Sequence, residues 1–121
     1  MKLLDSNILI YTFQPAFSFL RPLLIEPDSA VSEIALIEVL GFHNLSPNEK
    51  KYFEILFDNI RIIPIDRSVI SIAIELRQQK RISVGDAIGA STALKFNCEF
   101  HTRNTDDFKW ITRLILINPF I

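Results

Sequence analysis

The sequence predicts an α/β fold in which helices cover both faces of a central parallel sheet. Short apolar segments alternate along the chain with segments whose apolar residues have helical spacing, and this alternation is typical of parallel sheets. No Asn-Gly or Asp-Gly pair marks a tight hairpin between two strands. A length of 121 residues, without repeats or linker-like stretches, indicates one domain that covers residues 1–121.

Five apolar segments are predicted to be the strands of this sheet, and each is bounded by turn or capping residues. They are residues 2–4, 29–31, 60–65, 99–102 and 114–117. In a parallel sheet, ligands bind at the carboxyl ends of the strands, near the point where the strand order reverses. Polar residues that directly follow these segments are therefore candidates for a functional site.

The helices are predicted from helical spacing and from capping residues at their starts. They cover residues 8–13, 33–42, 47–58, 67–80 and 84–95, with a short helical turn after position 105. Residues 15–24 also have helical spacing, interrupted by Pro22. Ser46, Pro47 and Glu49 form the pattern of a capping box. The other predicted N-caps are Ser32, Asp66, Ser83 and Thr105.

Composition excludes several classes of protein. Cys98 is the only cysteine, so the chain contains neither an internal disulfide nor a cysteine-based metal cluster. No apolar run approaches the roughly 20 residues that span a bilayer, and Asp5 interrupts the start of the chain too early for a signal peptide. We therefore expect a soluble, cytoplasmic protein with no membrane partner. The balance of 13 basic and 14 acidic side chains does not by itself indicate nucleic-acid binding.

Acidic residues occupy positions where a solvated surface charge is unexpected. Asp5 directly follows the first predicted strand, and Glu38 lies within the apolar stretch 34–40. Asp86 begins a helix of small residues, and Asp107 follows the fourth strand in the polar segment 102–108. Two carboxylates about 4 Å apart repel by roughly 4 kcal/mol at an effective dielectric near 20. Convergence of these acids in one crevice therefore predicts a compensating cation such as Mg²⁺.

Each acid also has a structural interpretation that the sequence leaves open. Asp5 and Asp86 are both placed to cap helices, and Ser83 with Asp86 resembles a capping box. Glu38 could belong to a narrow polar stripe on an amphipathic helix. We expect His101 to be a half-buried residue at a strand end, because nothing beside it in sequence supplies a partner.

Four motifs in order resemble those of the PIN domain family, in particular its VapC-like toxin ribonucleases. The opening segment Leu3-Leu4-Asp5-Ser6-Asn7 resembles the first motif, and Ser32-Glu33-Ile34-Ala35-Leu36-Ile37-Glu38 resembles the second. Gly85-Asp86-Ala87-Ile88-Gly89 is similar to the third. Thr102-Arg103-Asn104-Thr105-Asp106-Asp107-Phe108 is similar to the fourth, and the segment 114–120 matches the family's last strand.

The resemblance implies a single PIN-like α/β/α sandwich and a Mg²⁺- or Mn²⁺-dependent endoribonuclease that hydrolyses RNA phosphodiester bonds. The implied catalytic and metal-binding acids are Asp5, Glu38, Asp86 and Asp107, with Thr102 and Asn104 orienting Asp5 or the phosphate. Asn104, Asp106 and Asp107 remain alternatives for the fourth acidic position. The resemblance also implies a homodimer and an antitoxin that inhibits it. The apolar segments 17–24 and 52–57 likewise favour a homodimer.

Basic residues near the predicted site are candidate contacts for RNA phosphates. They are Arg77, Lys80, Arg81 and Arg103. The first three could instead be favourable charges at a helix C-terminus.

Two rival functions remain. A phosphatase of the haloacid-dehalogenase type would need a second Asp two residues after Asp5, where Asn7 stands. A catalytically silent PIN-like module would only bind a partner and would have no need of the four acids.

Overall fold

The sheet predicted from the sequence is present in the computed structural model, which describes residues 1–121. Its five strands are β1 (Lys2–Leu4), β2 (Ser29–Ser32), β3 (Arg61–Ile63), β4 (Glu99–His101) and β5 (Ile115–Ile117). All neighbouring strands are parallel, and their spatial order is β3-β2-β1-β4-β5. The predicted parallel α/β architecture is confirmed.

Six α-helices and two 3₁₀ segments connect the strands. The helices are α1 (Ser6–Phe13), α2 (Pro22–Ile25), α3 (Ile34–Leu40), α4 (Pro47–Asn59), α5 (Arg67–Gln79) and α6 (Val84–Phe96). The 3₁₀ segments are Pro15–Leu20 and Thr105–Asp107. None of these helices is both long enough and apolar enough to cross a membrane.

Two apolar clusters lie on opposite faces of the sheet, because successive side chains of a strand point to opposite faces. Leu3 and Ala30 pack in the larger cluster with residues of α5 and α6. Their chain neighbours Leu4 and Val31 pack in the smaller cluster with residues of α1, α3 and α4. The chain therefore forms a three-layer α/β/α sandwich.

Most predicted helix starts are confirmed by the side-chain bonds that cap them. Ser46 and Glu49 form a complete capping box at the start of α4, and Asp66 accepts a hydrogen bond from the Val69 amide. The prediction for α3 was wrong in detail. Ser32 is the last residue of β2, the helix begins at Ile34, and it ends at Leu40 rather than at residue 42.

Most other boundaries differ from the prediction by one or two residues; α1, for example, begins at Ser6 rather than at residue 8. The third strand ends at Ile63, before Pro64, because proline has no amide N–H for a ladder hydrogen bond. Thr105 was predicted to cap the last helical turn. It is instead the first residue of that 3₁₀ segment, and Asn104 occupies the N-cap position.

Candidate active site

The reversal in strand order places two polar chain segments side by side. The chain adds β2 and β3 on one side of β1 and then returns to add β4 on the other side. Asp5 and Thr102, which directly follow β1 and β4, lie together at the carboxyl edge of the sheet. The Asp5 amide continues the ladder by donating to the His101 carbonyl at 2.9 Å. This is the position at which parallel sheets bind ligands.

The Asp5 carboxylate accepts a hydrogen bond from a buried hydroxyl that follows β4. Thr102 Oγ1 donates to Asp5 Oδ2 at 2.9 Å, and Thr102 is fully buried. Although Asp5 occupies the N-cap position of α1, its side chain makes no capping bond. Burial raises the pKa of the Asp5 carboxyl above 3.8, the Thr102 hydrogen bond lowers it, and the charge of Asp86 raises it further. The capping interpretation of Asp5 is wrong.

Glu38 reaches the same region from α3. The residue as a whole is exposed, but its carboxylate end lies against Gly85, at the start of α6. Burial of this carboxylate raises its pKa, the Ser6 hydroxyl lowers it, and the charges of Asp5 and Asp86 raise it further. Glu38 is therefore a partly desolvated acid beside two others and not part of a solvated stripe.

Asp86 lies in the first turn of α6, where Ser83 is the capping residue. Ser83 Oγ accepts from the Asp86 backbone amide at 3.1 Å. The reciprocal bond of a capping box, from the Ser83 amide to the Asp86 carboxylate, is not formed. Burial raises the pKa of the Asp86 carboxyl, the Ser83 hydroxyl lowers it, and the charge of Asp107 raises it. The cap of α6 therefore does not need the Asp86 carboxylate.

The three alternatives for the fourth acidic position have different environments in the segment after β4. They are Asn104, Asp106 and Asp107. Asp106 forms an ion pair with Lys109, with Nζ and Oδ1 2.5 Å apart, and this contact lowers the pKa of Asp106. Asn104 donates its backbone amide to Thr102 Oγ1 at 3.1 Å, and its side chain makes no hydrogen bond to Asp5. Asp107 is the acid whose charge acts on Asp86.

The four predicted acids thus form an electrostatically coupled group. The charges of Asp5 and Asp86 both act on Glu38, the charge of Asp86 acts on Asp5, and Asp107 joins the group through Asp86. No three of the chain's carboxylate, imidazole or thiol groups converge closely enough to hold one ion by themselves. A set of separated carboxylates fits Mg²⁺ or Mn²⁺, because Mg²⁺ binds few protein oxygens and keeps several waters.

Three of the predicted basic residues share a cavity with the acids. The cavity has a volume of about 570 Å³, and its lining includes Asp86 and Asp107 together with Arg77, Lys80 and Arg81. Arg77 Nε donates to the Ile82 carbonyl at 3.1 Å, which is the structural role expected near a helix C-terminus. None of the three basic side chains forms an ion pair in this structure.

Arg103 lies in a different environment from the other predicted phosphate contacts. Its guanidinium carbon is 4.6 Å from the ring centre of Phe120, 5.1 Å from that of Tyr11 and 5.7 Å from that of Phe17. Arg103 does not line the cavity that holds Arg77, Lys80 and Arg81. All three rings are distant in sequence from Arg103, so no local pattern signals these contacts.

The prediction for His101 was wrong on two points. The residue is buried, with 5% of its surface exposed, and Glu99 supplies a partner, with His101 Nε2 and Glu99 Oε1 3.2 Å apart. Glu99 stands two residues earlier on β4, so the two side chains lie on the same face of the strand. That spacing was the signal that could have identified the pair.

Sequence reasoning also did not single out Ser6 and Gly85. Ser6 directly follows Asp5, and its hydroxyl lies beside both Asp5 and Glu38. Gly85 contacts Glu38 and directly precedes Asp86. Adjacency to two candidate acids was the only signal for either residue.

Comparison with known proteins identifies the family that the chain matches. The chain matches the PIN domain model over residues 2–114. No curated protein matches it in sequence.

Several solved structures resemble the chain. The chain resembles a toxin–antitoxin complex from Klebsiella pneumoniae, with 28% identity, a TM-score of 0.81 and 98% of each chain covered. It also resembles VapBC2 from Rickettsia felis bound to a promoter DNA fragment, with 25% identity, a TM-score of 0.79 and 97% of each chain covered. FitAcB from Neisseria gonorrhoeae has 26% identity, a TM-score of 0.77 and 99% coverage of each chain.

Proposed function

Because the chain belongs to the PIN domain family, we propose that it is a Mg²⁺- or Mn²⁺-dependent endoribonuclease and the toxin of a toxin–antitoxin pair. The observation that carries this proposal is the electrostatic coupling of Asp5, Glu38 and Asp86 at the carboxyl edge of the sheet. Ionised carboxylates that are partly buried and repel one another destabilise a fold unless a cation compensates them. A hydrolytic metal site uses such a group of acids.

Each acid has a distinct proposed role. Asp5 and Asp86 would hold the metal directly, while Glu38 and Asp107 would support it through intervening water. A divalent ion in such a site supplies Lewis acidity, which promotes attack by water and offsets charge on the phosphate. Thr102 fixes the orientation of the Asp5 carboxylate through its 2.9 Å hydrogen bond. An oriented ligand of this kind is typical of metal sites, where the supporting hydrogen bonds tune affinity.

The basic side chains beside the acids would bind the RNA backbone. Arg77, Lys80 and Arg81 line the cavity that also contains Asp86 and Asp107, so phosphates bound there would lie next to the metal-binding acids. Local cations compensate for the chain's overall net charge of −1, which provides no general attraction for nucleic acid. The preference for RNA over DNA rests on the family, because attack by water does not require a 2′-hydroxyl. Asn104, which is exposed beside Thr102, would contact the phosphate.

An antitoxin partner is supported by the Klebsiella pneumoniae neighbour, which was solved as a toxin–antitoxin complex. The proposed mode of inhibition is a basic antitoxin side chain inserted among the carboxylates. We also propose a cytoplasmic homodimer. Much of the apolar surface in residues 17–24 and 52–57 is buried within the chain, but Phe19 and Ile55 remain more than half exposed. These side chains are available to a partner protein.

The test of this function compares two changes at the start of α6. Asp86→Asn removes a charge from the metal site, whereas Ser83→Ala weakens the cap, at a cost of about 1 kcal/mol, and leaves the carboxylate in place. Loss of even ~3 kcal/mol of transition-state stabilisation lowers the rate roughly a hundredfold. Purified variants would be incubated with structured RNAs in Mn²⁺, Mg²⁺ or EDTA.

We expect Ser83→Ala to lose stability but to retain most activity at a permissive temperature. Asp86→Asn should keep the fold and lose metal-dependent cleavage. Loss of activity in proportion to unfolding in both variants would show that Asp86 acts as a structural residue and would overturn the assigned site.

A further inference from the structure

Gly85 lies so close to Glu38 that no side chain fits between them. A Cβ atom built on Gly85 would lie well inside 3.0 Å of Glu38 Oε2, a separation that Cβ atoms essentially never reach, and 3.1 Å from Glu38 Cδ. The space around this contact is a cavity of only about 10 Å³, lined in part by Asp5, Glu38 and Gly85. The contact with Glu38 Oε2 leaves no room for a methyl group while the carboxylate keeps its present position.

No backbone requirement explains a glycine at this position. Gly85 does not have a positive φ, so its conformation is open to any residue. It is the second residue of α6, and glycine is among the poorest helix formers. Gly89, one turn later, is different, because a Cβ there would meet Phe100 Cζ at 3.4 Å, which is ordinary van der Waals contact. The close approach of Glu38 is therefore the feature that distinguishes Gly85.

We propose that Gly85 is a positioning residue. Because it lacks a side chain, the Glu38 carboxylate can lie against the first turn of α6 and beside Asp5 and Asp86. Any larger residue at position 85 would push this carboxylate out of the group. The consequence for metal binding rests on the proposed nuclease function, whereas the placement of Glu38 by Gly85 does not.

The placement can be tested on the metal-free protein by urea unfolding in EDTA. Gly85→Ala would be made in the wild type and in a Glu38→Asp background. Aspartate withdraws the carboxylate by about one carbon–carbon bond, ~1.5 Å, which makes room for the methyl group. Gly89→Ala is the matched control, because it makes the same chemical change in the same helix away from Glu38.

We expect Gly85→Ala to raise the urea midpoint less with Glu38, whose carboxylate must leave its position, than with Asp at position 38, where only the gain in helix propensity remains. Gly89→Ala should shift the midpoint equally in both backgrounds. If Gly85→Ala shifts the midpoint by the same amount with Glu38 and with Asp at position 38, Gly85 does not position this carboxylate.

The effect on the metal site would be measured by calorimetric titration with Mn²⁺. Gly85→Ala should weaken Mn²⁺ binding at least tenfold in the wild type but less than twofold in the Glu38→Asp background. Equal weakening in both backgrounds would overturn the positioning role. If the wild type neither binds Mn²⁺ nor cleaves RNA, the proposed function fails, and the urea comparison still decides whether Gly85 places Glu38.

Discussion

Replacement of Thr102 by valine tests how the chain holds its first candidate metal ligand. Thr102 is fully buried, and valine has nearly the same shape. The change removes only the hydroxyl, which donates to Asp5 Oδ2 at 2.9 Å and accepts from the Asn104 amide at 3.1 Å. Its effects should therefore come from hydrogen bonding to Asp5 and Asn104 and not from a cavity.

The expected loss of stability follows from these two bonds. A hydrogen bond to a charged group contributes about 1.5–3 kcal/mol, and a neutral one about 1 kcal/mol. Asn104 is exposed, so water can replace the partner of its amide. We therefore expect Thr102→Val to lower the free energy of unfolding of the metal-free protein by about 2–3 kcal/mol near neutral pH, mostly through Asp5.

This loss should depend on pH with a defined sign. The Thr102 hydrogen bond lowers the pKa of Asp5, which burial holds above its ordinary value of 3.8. Without that bond, the folded-state pKa rises further, while the unfolded-state value stays the same. The stability difference between wild type and variant should be absent below the wild-type folded pKa, should grow as pH rises through it, and should be complete above the variant's folded pKa.

Urea unfolding in EDTA at neutral and mildly acidic pH would measure this difference. Thr102→Ser is the matched control, because it keeps the hydroxyl and loses only a methyl group. Mn²⁺ affinity at neutral pH should fall about 10–100-fold in Thr102→Val, as is typical when a ligand loses its supporting hydrogen bond. If valine and serine have the same Mn²⁺ affinity and the same pH dependence of stability, the Thr102 hydroxyl does not control Asp5.

Further predictions concern the metal, the RNA and assembly. Asp5→Asn should keep or gain metal-free stability as pH rises above 3.8, because the folded state raises the pKa of this carboxyl. The same variant should lose most of the rise in melting temperature that Mn²⁺ gives the wild type. Equal Mn²⁺ stabilisation of both proteins would contradict the site. Arg81→Ala should weaken RNA binding without a change in Mn²⁺ affinity. The slope of log K for RNA binding against log[salt] should become less steep by about one. Light scattering should show a dimer at high micromolar concentration, and a monomer there would refute the proposed assembly.

The strands and most helix starts could be predicted because their signals are local. The capping box of Ser46 and Glu49 is complete within four residues, and short apolar segments mark the strands. The prediction that Ser32 is an N-cap was wrong, because its place in the fold depends on a distant segment of the chain. It pairs with Ile63 in the parallel ladder between β2 and β3, and this pairing makes it the end of a strand, although its Oγ still accepts from the Ile34 amide at 3.3 Å.

The candidate acids were predictable to the extent that they follow strands or interrupt apolar stretches. Their individual environments were not, because these depend on contacts between separate segments. Asp107 was distinguished from Asp106 only by the ion pair of Asp106 with Lys109 and by the proximity of Asp107 to Asp86. The contacts of Arg103 with the rings at positions 11, 17 and 120 were likewise not predicted.

An active nuclease and a PIN-like module that only binds a partner predict different behaviour of these acids. Burial raises the pKa of Asp5, Glu38 and Asp86, and each is raised further by a neighbouring acid, so their ionised forms destabilise the fold at neutral pH. In a binding module, amides at these positions would relieve that destabilisation with no loss of function. In a metal-dependent enzyme, the same amides would relieve it and also remove the stabilisation that the cation provides. The two functions therefore predict the same metal-free stabilities but different responses to Mn²⁺, because only the enzyme would lose cation stabilisation when an acid is neutralised.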